Sequence, residues 1–236
     1  MDRPYIICHI LSALDGKIAG TFTGTKTAQT ASEEYARIRL AYRAEAWLYG
    51  TTTTKEFTQY KKPVLEPACE KVPEGDYIAQ TGPGFYYISL DTAGEIGWES
   101  GIFQKPGRPD AHVIEILTEE TPAAYLRKKG VSYIIAGDTS LDCRIAVEKL
   151  KRLFMIDTIL ICGGGMVNWT FIQQGVVDEL SLILAPAADG DPSSPTVFEK
   201  SELLAATAPV EFQLKNVEQL KDSGVRLTYL VKQEAQ

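Results

Sequence analysis

A strand, a glycine turn and a helix are predicted in direct succession by Thr158-Ile159-Leu160-Ile161-Cys162-Gly163-Gly164-Gly165-Met166-Val167-Asn168-Trp169-Thr170-Phe171-Ile172. An apolar run with β-branched residues stops at three glycines, and Val167, Phe171 and Ile172 then recur at helical spacing. Glycines let main-chain N–H groups approach a ligand, and a helix start favours anions, so we predict a site for a phosphate or pyrophosphate. A simple glycine loop is the alternative, because the spacing is not G-x-G-x-x-G.

The composition predicts a protein that handles a small molecule. The net charge is -7 and the chain has no dense Lys/Arg block, which argues against a nucleic-acid partner. No apolar run reaches the roughly 20 residues of a membrane helix, and residues 1–4 show no signal-peptide pattern. The four cysteines lack C-x-x-C spacing, so the sequence predicts no metal site and no disulfide framework. We expect a cytoplasmic protein without a membrane partner.

The loop after the first predicted strand offers two polar candidates. Residues 5–11 are almost continuously apolar, as is typical of a strand buried in a parallel sheet. The strand runs into Asp15-Gly16, a strong turn signal, at a sheet end where open α/β sheets bind ligands. Asp15 and Lys17 are therefore candidate site residues. A turn aspartate that bonds its own backbone, beside a solvated lysine, explains the same residues equally well.

A helix is predicted to begin at Ser32, with Ser32 as its N-cap and acidic residues in its first turn. The preceding residues 21–30 are rich in Thr and Gly and are predicted to form a mobile loop. Three arginines of this region, Arg37, Arg39 and Arg43, are expected on solvated or flanking faces. One of them could still reach a ligand phosphate, because arginine suits oxyanion binding.

A second strand end also suits phosphate. The apolar residues 46–49 predict a buried strand, and Gly50 with the four threonines of residues 51–54 follows it directly. A glycine and four hydroxyl groups at a strand end offer backbone and side-chain donors. Threonine is also an ordinary strand and loop residue, so this run carries weight only beside the glycine turn.

The remaining pattern alternates strands with helices. Further strands are predicted at residues 85–91, 111–117, 131–136 and 177–186. Helices are predicted from Thr121-Pro122 to Gly130 and from Asp142 to Leu153. Residues 59–84 are predicted to be a surface excursion with little regular structure, and residues 210–220 and 225–231 an antiparallel hairpin.

This order predicts a mixed, mostly parallel α/β sheet flanked by helices, with an antiparallel C-terminal hairpin, in a single domain over residues 1–236. His112 lies in an alternating strand without a second His or Cys at ligand spacing, so we expect a structural role for it.

The motifs now resemble the pyrimidine reductase (C-terminal) domain of riboflavin biosynthesis, within the dihydrofolate-reductase-like superfamily. The family pattern S-L-D-G-K-I-A is similar to residues 12–19, which contain one extra alanine. The family's V-G-S-G-T-like turn resembles residues 49–53, and E-G-G followed by L-V-D-E-L and A-P resembles residues 162–186. These blocks cover nearly the whole chain in order.

The resemblance implies NADPH as hydride donor and a pyrimidine ribose phosphate as acceptor. It implies that the cofactor is held by Gly163, Gly164, Gly165 and Met166 at the pyrophosphate and by Gly50, Thr51, Thr52 and Thr53 at the adenosine phosphate. The polar members of the first loop, Asp15 and Lys17, are then the catalytic candidates. The candidates for binding substrate are Ser12 and Arg39.

Two departures keep other functions open. Cys162 stands where the family has an acidic residue, and residues 55–59 replace its L-A-D-D-P segment, so both changes remove expected carboxylates. The alternatives are a pterin reductase of the dihydrofolate type, with Glu33 or Glu34 as the ring-binding carboxylate, and a nucleotide-binding module without catalysis. A homodimer through the C-terminal hairpin is expected, since exposed sheet edges pair readily.

Overall fold

The computed structural model describes residues 2–65, 72–118, 122–200, 204 and 207–232. Its strands are β1 (Tyr5–Ser12), β2 (Ala46–Gly50), β3 (Tyr86–Leu90), β4 (Ile102–Phe103), β5 (Ala111–Leu117), β6 (Ser132–Ile135), β7 (Thr158–Ile161), β8 (Glu179–Leu184), β9 (Phe212–Gln219) and β10 (Val225–Val231). Its α-helices are α1 (Lys26–Ala41), α2 (Thr51–Phe57), α3 (Ala123–Lys129), α4 (Cys143–Phe154) and α5 (Gly165–Gln173).

The chain forms two compact units, of which the first comprises Met1–Pro4 with Glu45–Ile159. In this first unit β2, β3, β5 and β6 are parallel neighbours in that order. The short strand β4 is antiparallel to the start of β5. All five residues of β2 and of β3 are buried, as parallel strands between helices require.

The second unit comprises Tyr5–Ala44 with Leu160–Gln236. Here β1 and β8 are parallel, β8 pairs with β10 antiparallel, and β10 pairs with β9 antiparallel. Buried residues from α1 and from both sides of the first loop form one core cluster: Ala13, Phe22, Ala28, Ala31, Ile38, Ile183, Ala185 and Leu220. The predicted mixed α/β fold with mostly parallel strands and an antiparallel C-terminal pair is confirmed.

Most predicted elements are present with shifts of one or two residues, but the start of α1 was predicted wrongly. The helix begins at Lys26, and Thr25 is its N-cap, because the Thr25 hydroxyl accepts a hydrogen bond from the N–H of Ala28. Ser32 therefore lies inside the helix. The predicted mobile loop is instead a 3-10 helix at Thr21–Gly24 that leads into α1.

Two other features differ from the prediction. The threonine run forms the first turn of α2 directly after β2, so it is helical rather than a simple turn. The short strand β4 was not predicted. Asp142 does cap α4, and the left-handed Gly130 ends α3, whereas Thr121 lies outside the described residues. Within the described ranges, no helix is long and apolar enough to cross a membrane.

Candidate active site

The glycine turn presents free amide groups at the start of α5. Gly163 and Gly164 have φ angles of 147° and 87°, which only glycine adopts without strain. The first hydrogen bond of the helix runs from the N–H of Asn168 to the carbonyl oxygen of Gly164, at 3.0 Å. The amides before that bond have no helical acceptor, and no side chain caps this end. An anion would satisfy them.

The space around the turn is open on one side and closed on the other. A methyl group on Gly164 would meet only the Val167 side chain, at an ordinary 3.6 Å. A methyl group on Gly165 would collide with the carbonyl oxygen of Thr196 and come within 2.9 Å of the Glu199 side chain. Met166, the second residue of α5, is 50% exposed. The open side of the turn is therefore the side of Gly164 and Met166.

Residues 194–199, here called the linking segment, join the glycine turn to the first loop. On one side, the Ile18 N–H donates to the carbonyl oxygen of Pro195 at 2.9 Å, and Lys17 forms an antiparallel bridge with Thr196. On the other side, the Glu199 N–H donates to the carbonyl oxygen of Gly165 at 3.1 Å. The second unit thus attaches the predicted catalytic loop and the predicted pyrophosphate turn to one short segment.

Asp15 and Lys17 both form hydrogen bonds with residues 189–194, just before or at the start of the linking segment. The Asp15 carboxylate accepts hydrogen bonds from the amides of Gly190 and Asp189, at 2.8 and 3.1 Å. Both bonds lower the pKa of Asp15 below its usual 3.8, and the bond from Gly190 has the larger effect. Asp15 is therefore ionised at neutral pH. The Lys17 ammonium group donates to the carbonyl oxygen of Ser194 at 2.8 Å.

The two predicted substrate-binding residues are buried. Ser12 is fully buried, and its hydroxyl group donates to the carbonyl oxygen of Ala13 at 3.0 Å. Arg39 was expected on a solvated face and is only 6% exposed, with its guanidinium group 5.4 Å from the centre of the Tyr35 ring. That expectation was wrong because the α1 face with Arg39 packs inward, whereas its neighbour Leu40 is 53% exposed.

The threonine run lies in the first unit and offers fewer donors than its sequence suggests. The Thr51 hydroxyl donates to the carbonyl oxygen of Leu90 at 2.8 Å, and the Thr54 hydroxyl bonds that of Tyr87 at 2.9 Å. Thr52 is exposed and Thr53 is half-buried. The glycine turn and this run belong to different units, so a dinucleotide site formed by both stays a prediction.

The carboxylates considered for a pterin ring have other surroundings. Glu34 is buried, and its carboxylate pairs with Arg37 at 2.7 Å and with Lys221 at 3.6 Å. The Arg37 hydrogen bond is the main cause that lowers the pKa of Glu34. Glu33 is exposed on α1. Glu34 thus has two cationic partners within its own unit.

Sequence patterns missed the residues that connect this site. No pattern in the sequence predicted a partner for Thr196, Val197 or Glu199. A bridge between single residues leaves no periodic pattern in the sequence. Asn168 is buried, but the sequence does not distinguish it from an exposed polar residue of a helix. Among the described residues, no group of three or more His, Cys, Asp or Glu side chains could hold a metal ion.

Two curated relatives match nearly the whole chain. Both are named 2,5-diamino-6-ribosylamino-4(3H)-pyrimidinone 5′-phosphate reductase. The protein of Methanothermobacter thermautotrophicus is 24% identical over 222 residues, which cover 90% of this chain and 92% of the relative. That of Archaeoglobus fulgidus is 24% identical over 204 residues, which cover 86% and 89%.

Solved structures share the fold. A pyrimidine reductase-like protein of Corynebacterium diphtheriae superposes with a TM-score of 0.68 at 18% identity, over 99% of this chain and 94% of that one. RibD of Acinetobacter baumannii superposes with a TM-score of 0.64 at 20% identity, over 98% of this chain. The chain spans 59% of the length of that RibD protein.

The family is shown by the sequence itself. Residues 107–225, half of the chain, match the model of the RibD C-terminal domain. The matched range contains the glycine turn, α5 and the linking segment. The fold and the resemblance predicted from the sequence motifs are therefore confirmed: the chain belongs to the RibD C-terminal domain family.

Proposed function

We propose that this chain is an NADPH-dependent reductase whose acceptor is a ribosylaminopyrimidine phosphate of riboflavin biosynthesis. The names of the curated relatives support this acceptor. We further propose that residues 1–236 act as one reductase domain, in a cytoplasmic homodimer. The exposed Leu214 and Val217 on the outer strand β9 support pairing through the C-terminal hairpin.

One observation carries the proposal. In the second unit, the loop with Asp15 and Lys17 and the turn with Gly165 both bond to the linking segment. Each feature thus lies one main-chain hydrogen bond from the same six-residue segment. This proximity suits a reductase, which must hold an anionic cofactor and an acceptor side by side.

The proposed roles follow from the groups that each residue exposes. The amides of Gly163, Gly164, Gly165 and Met166 would hold the pyrophosphate of the nicotinamide cofactor. The adenosine phosphate would contact Gly50 and the hydroxyl groups of Thr51, Thr52 and Thr53, and a 2′-phosphate there would favour NADPH over NADH. When bound, the cofactor supplies the hydride that the side chains of this chain cannot.

The acceptor side is proposed to use the first loop. The Lys17 ammonium group donates to the carbonyl oxygens of Ser194 at 2.8 Å and Pro192 at 3.4 Å, which leaves one of its three N–H donors. That donor would give a hydrogen bond or proton to the oxygen of the opened ribose. Asp15 is ionised, which makes it an electrostatic partner and an anchor of the loop rather than a proton donor. Ser12, the last residue of β1, and Arg39, on α1, are the proposed substrate-binding residues.

The test is a comparison of two acceptors and two cofactors. The purified chain is mixed with NADPH or NADH and with 2,5-diamino-6-ribosylamino-4(3H)-pyrimidinone 5′-phosphate or 5-amino-6-(5-phosphoribosylamino)uracil. We expect NADPH oxidation with at least one acceptor, and slower oxidation of NADH. A Lys17→Met variant of similar length is expected to lose at least about tenfold in kcat. Tight NADPH binding without turnover of either acceptor would contradict the proposed function.

A further inference from the structure

Val197 connects two elements of the site through its main chain alone. Its N–H donates to the carbonyl oxygen of Gly16 at 3.0 Å, in the loop with Lys17. Its carbonyl oxygen accepts a hydrogen bond from the side-chain amide of Asn168 at 2.9 Å, in α5. A displacement of α5 is therefore passed to the loop through two hydrogen bonds and one residue.

Asn168 is the residue of α5 that forms the hydrogen bond to Val197. It lies one turn into α5, its N–H makes the first hydrogen bond of the helix, and its side chain is fully buried. The side-chain oxygen has no hydrogen-bond partner among the described residues. A buried acceptor without a partner is destabilising, so packing alone would favour an apolar side chain here. The amide is explained by the bond that its nitrogen makes to Val197.

Glu199 holds the linking segment in shape from its other end. Its carboxylate accepts a hydrogen bond from the Thr196 N–H at 2.8 Å, while its own N–H donates to the carbonyl oxygen of Gly165 at 3.1 Å. The first bond closes the segment on itself, and the second attaches it to the first residue of α5. Thr196, the residue thereby fixed, is the one that pairs with Lys17.

We propose that Asn168 and Glu199 are positioning residues, which hold the Lys17 loop at a fixed distance from the glycine turn through the linking segment. The inference rests on the proposed function and names two residues that act in it without touching the acceptor. Removal of either hydrogen bond leaves the cofactor amides in place and lets the Lys17 loop move. The expected defect is therefore in kcat more than in cofactor affinity.

The experiment uses two variants that remove a bond without adding charge. Asn168→Leu keeps the side-chain size and loses the donor to Val197, and Glu199→Met keeps the length and loses the acceptor for Thr196. Glu199→Gln retains an acceptor oxygen and should recover most of the loss. Glu148→Met, at an exposed position of α4, is the matched control outside the site.

Two readouts separate positioning from a merely structural role. We expect kcat, measured well below the unfolding temperature, to fall about tenfold in N168L and E199M, with the Kd for NADPH changed less than about twofold. Hydrogen exchange of the Ile18 and Val197 amides, measured without ligand, should become faster in both variants and stay unchanged in E148M.

Either readout can overturn the proposal. Wild-type kcat in N168L and E199M would contradict it, and so would unchanged exchange at Ile18. If the wild-type chain reduces neither pyrimidine phosphate, the proposed function fails, and the exchange measurement still decides the inference. Faster exchange at Ile18 in N168L would then support the mechanical link from α5 to the loop, and unchanged exchange would refute it.

Discussion

Gly165 stands so close to Thr196 that a methyl group on Gly165 would overlap the carbonyl oxygen of Thr196. The Cγ atom of Glu199 would also lie within 2.9 Å of that methyl group. The third glycine of the turn is thus required by the linking segment rather than by its own backbone angles. The glycines of the turn therefore have two roles. Gly163 and Gly164 adopt the positive φ angles, and Gly165 leaves room for the main chain of Thr196.

Gly165→Ala is expected to destabilise the chain by about 1 to 3 kcal/mol, because the overlap is with backbone, which cannot rotate away. Unfolding by urea measures the change. Gly24→Ala is the matched control, since a methyl group on Gly24 would meet nothing within 4 Å. Equal stability of the two variants would show that the linking segment does not press on the start of α5.

A second relationship concerns a buried acid in the first unit. Asp91 follows β3 and is fully buried, with one carboxylate oxygen 2.8 Å from the N–H of Ile96. Glu115, also fully buried, accepts the indole N–H of Trp98 at 2.5 Å. Burial raises the pKa of Asp91 from 3.8 to about 6, and the pKa of Glu115 rises as well, by burial and by the charge of Asp91.

The contribution of Asp91 to stability should therefore fall as the pH rises from about 4 to about 6. In that window the unfolded chain has lost the Asp91 proton while the folded chain retains it, so folding binds a proton at this group. A shift of this size corresponds to roughly 3 kcal/mol. Asp91→Asn removes this contribution, so the stability of the variant relative to the wild-type chain should rise across this window, measured by urea unfolding at several pH values. For Asp138→Asn, at an exposed position, the difference from the wild-type chain should stay constant.

His9 is expected to remain neutral with its proton on Nε2. Nε2 lies 3.0 Å from the carbonyl oxygen of Tyr35 and must donate, so Nδ1, at 3.1 Å from the Ser181 hydroxyl, must accept. The Ser181 oxygen then receives the Arg226 guanidinium N–H at 3.2 Å. Burial lowers the pKa of His9 to about 4, and the charge of Arg226 adds to the shift.

Nitrogen NMR of the imidazole rings checks this assignment, because the chain has only two histidines. In a His112→Gln variant the remaining ring should show the Nε2–H tautomer and should not titrate between pH 8 and about 5. The contribution of His9 to stability is complete above pH 6.5 and is lost as the pH falls towards 4, since only the unfolded chain takes up the proton there. A ring that titrates near 6.5 would contradict the hydrogen-bond chain.

The sequence predicted the fold wherever a local pattern determines the structure. The buried strands, the glycine turn and the Asp142 cap each follow from residues that are neighbours in sequence. The site was predicted only in part, because the contacts that join Lys17, Val197 and Asn168 cross about 30 to 180 residues and leave no local pattern. The start of α1 fails for a related reason. Ser32 followed by two acids fits the pattern of an N-cap. In the structure Thr25 is the N-cap instead, and its hydroxyl group bonds to the carbonyl oxygen of Phe22, whose side chain is buried in the core.

Thr25→Ala and Ser32→Ala should therefore have opposite effects. The Thr25 hydroxyl accepts from the N–H of Ala28 at 3.3 Å and donates to the carbonyl oxygen of Phe22 at 2.8 Å, so its removal should cost about 1 to 2 kcal/mol of stability. Ser32 is exposed inside the helix, where alanine has the higher helix propensity, so S32A should be neutral or stabilising by up to about 0.5 kcal/mol. Urea unfolding of both variants at neutral pH decides between the two caps. A greater loss in S32A than in T25A would place the start of α1 where its sequence pattern predicts it.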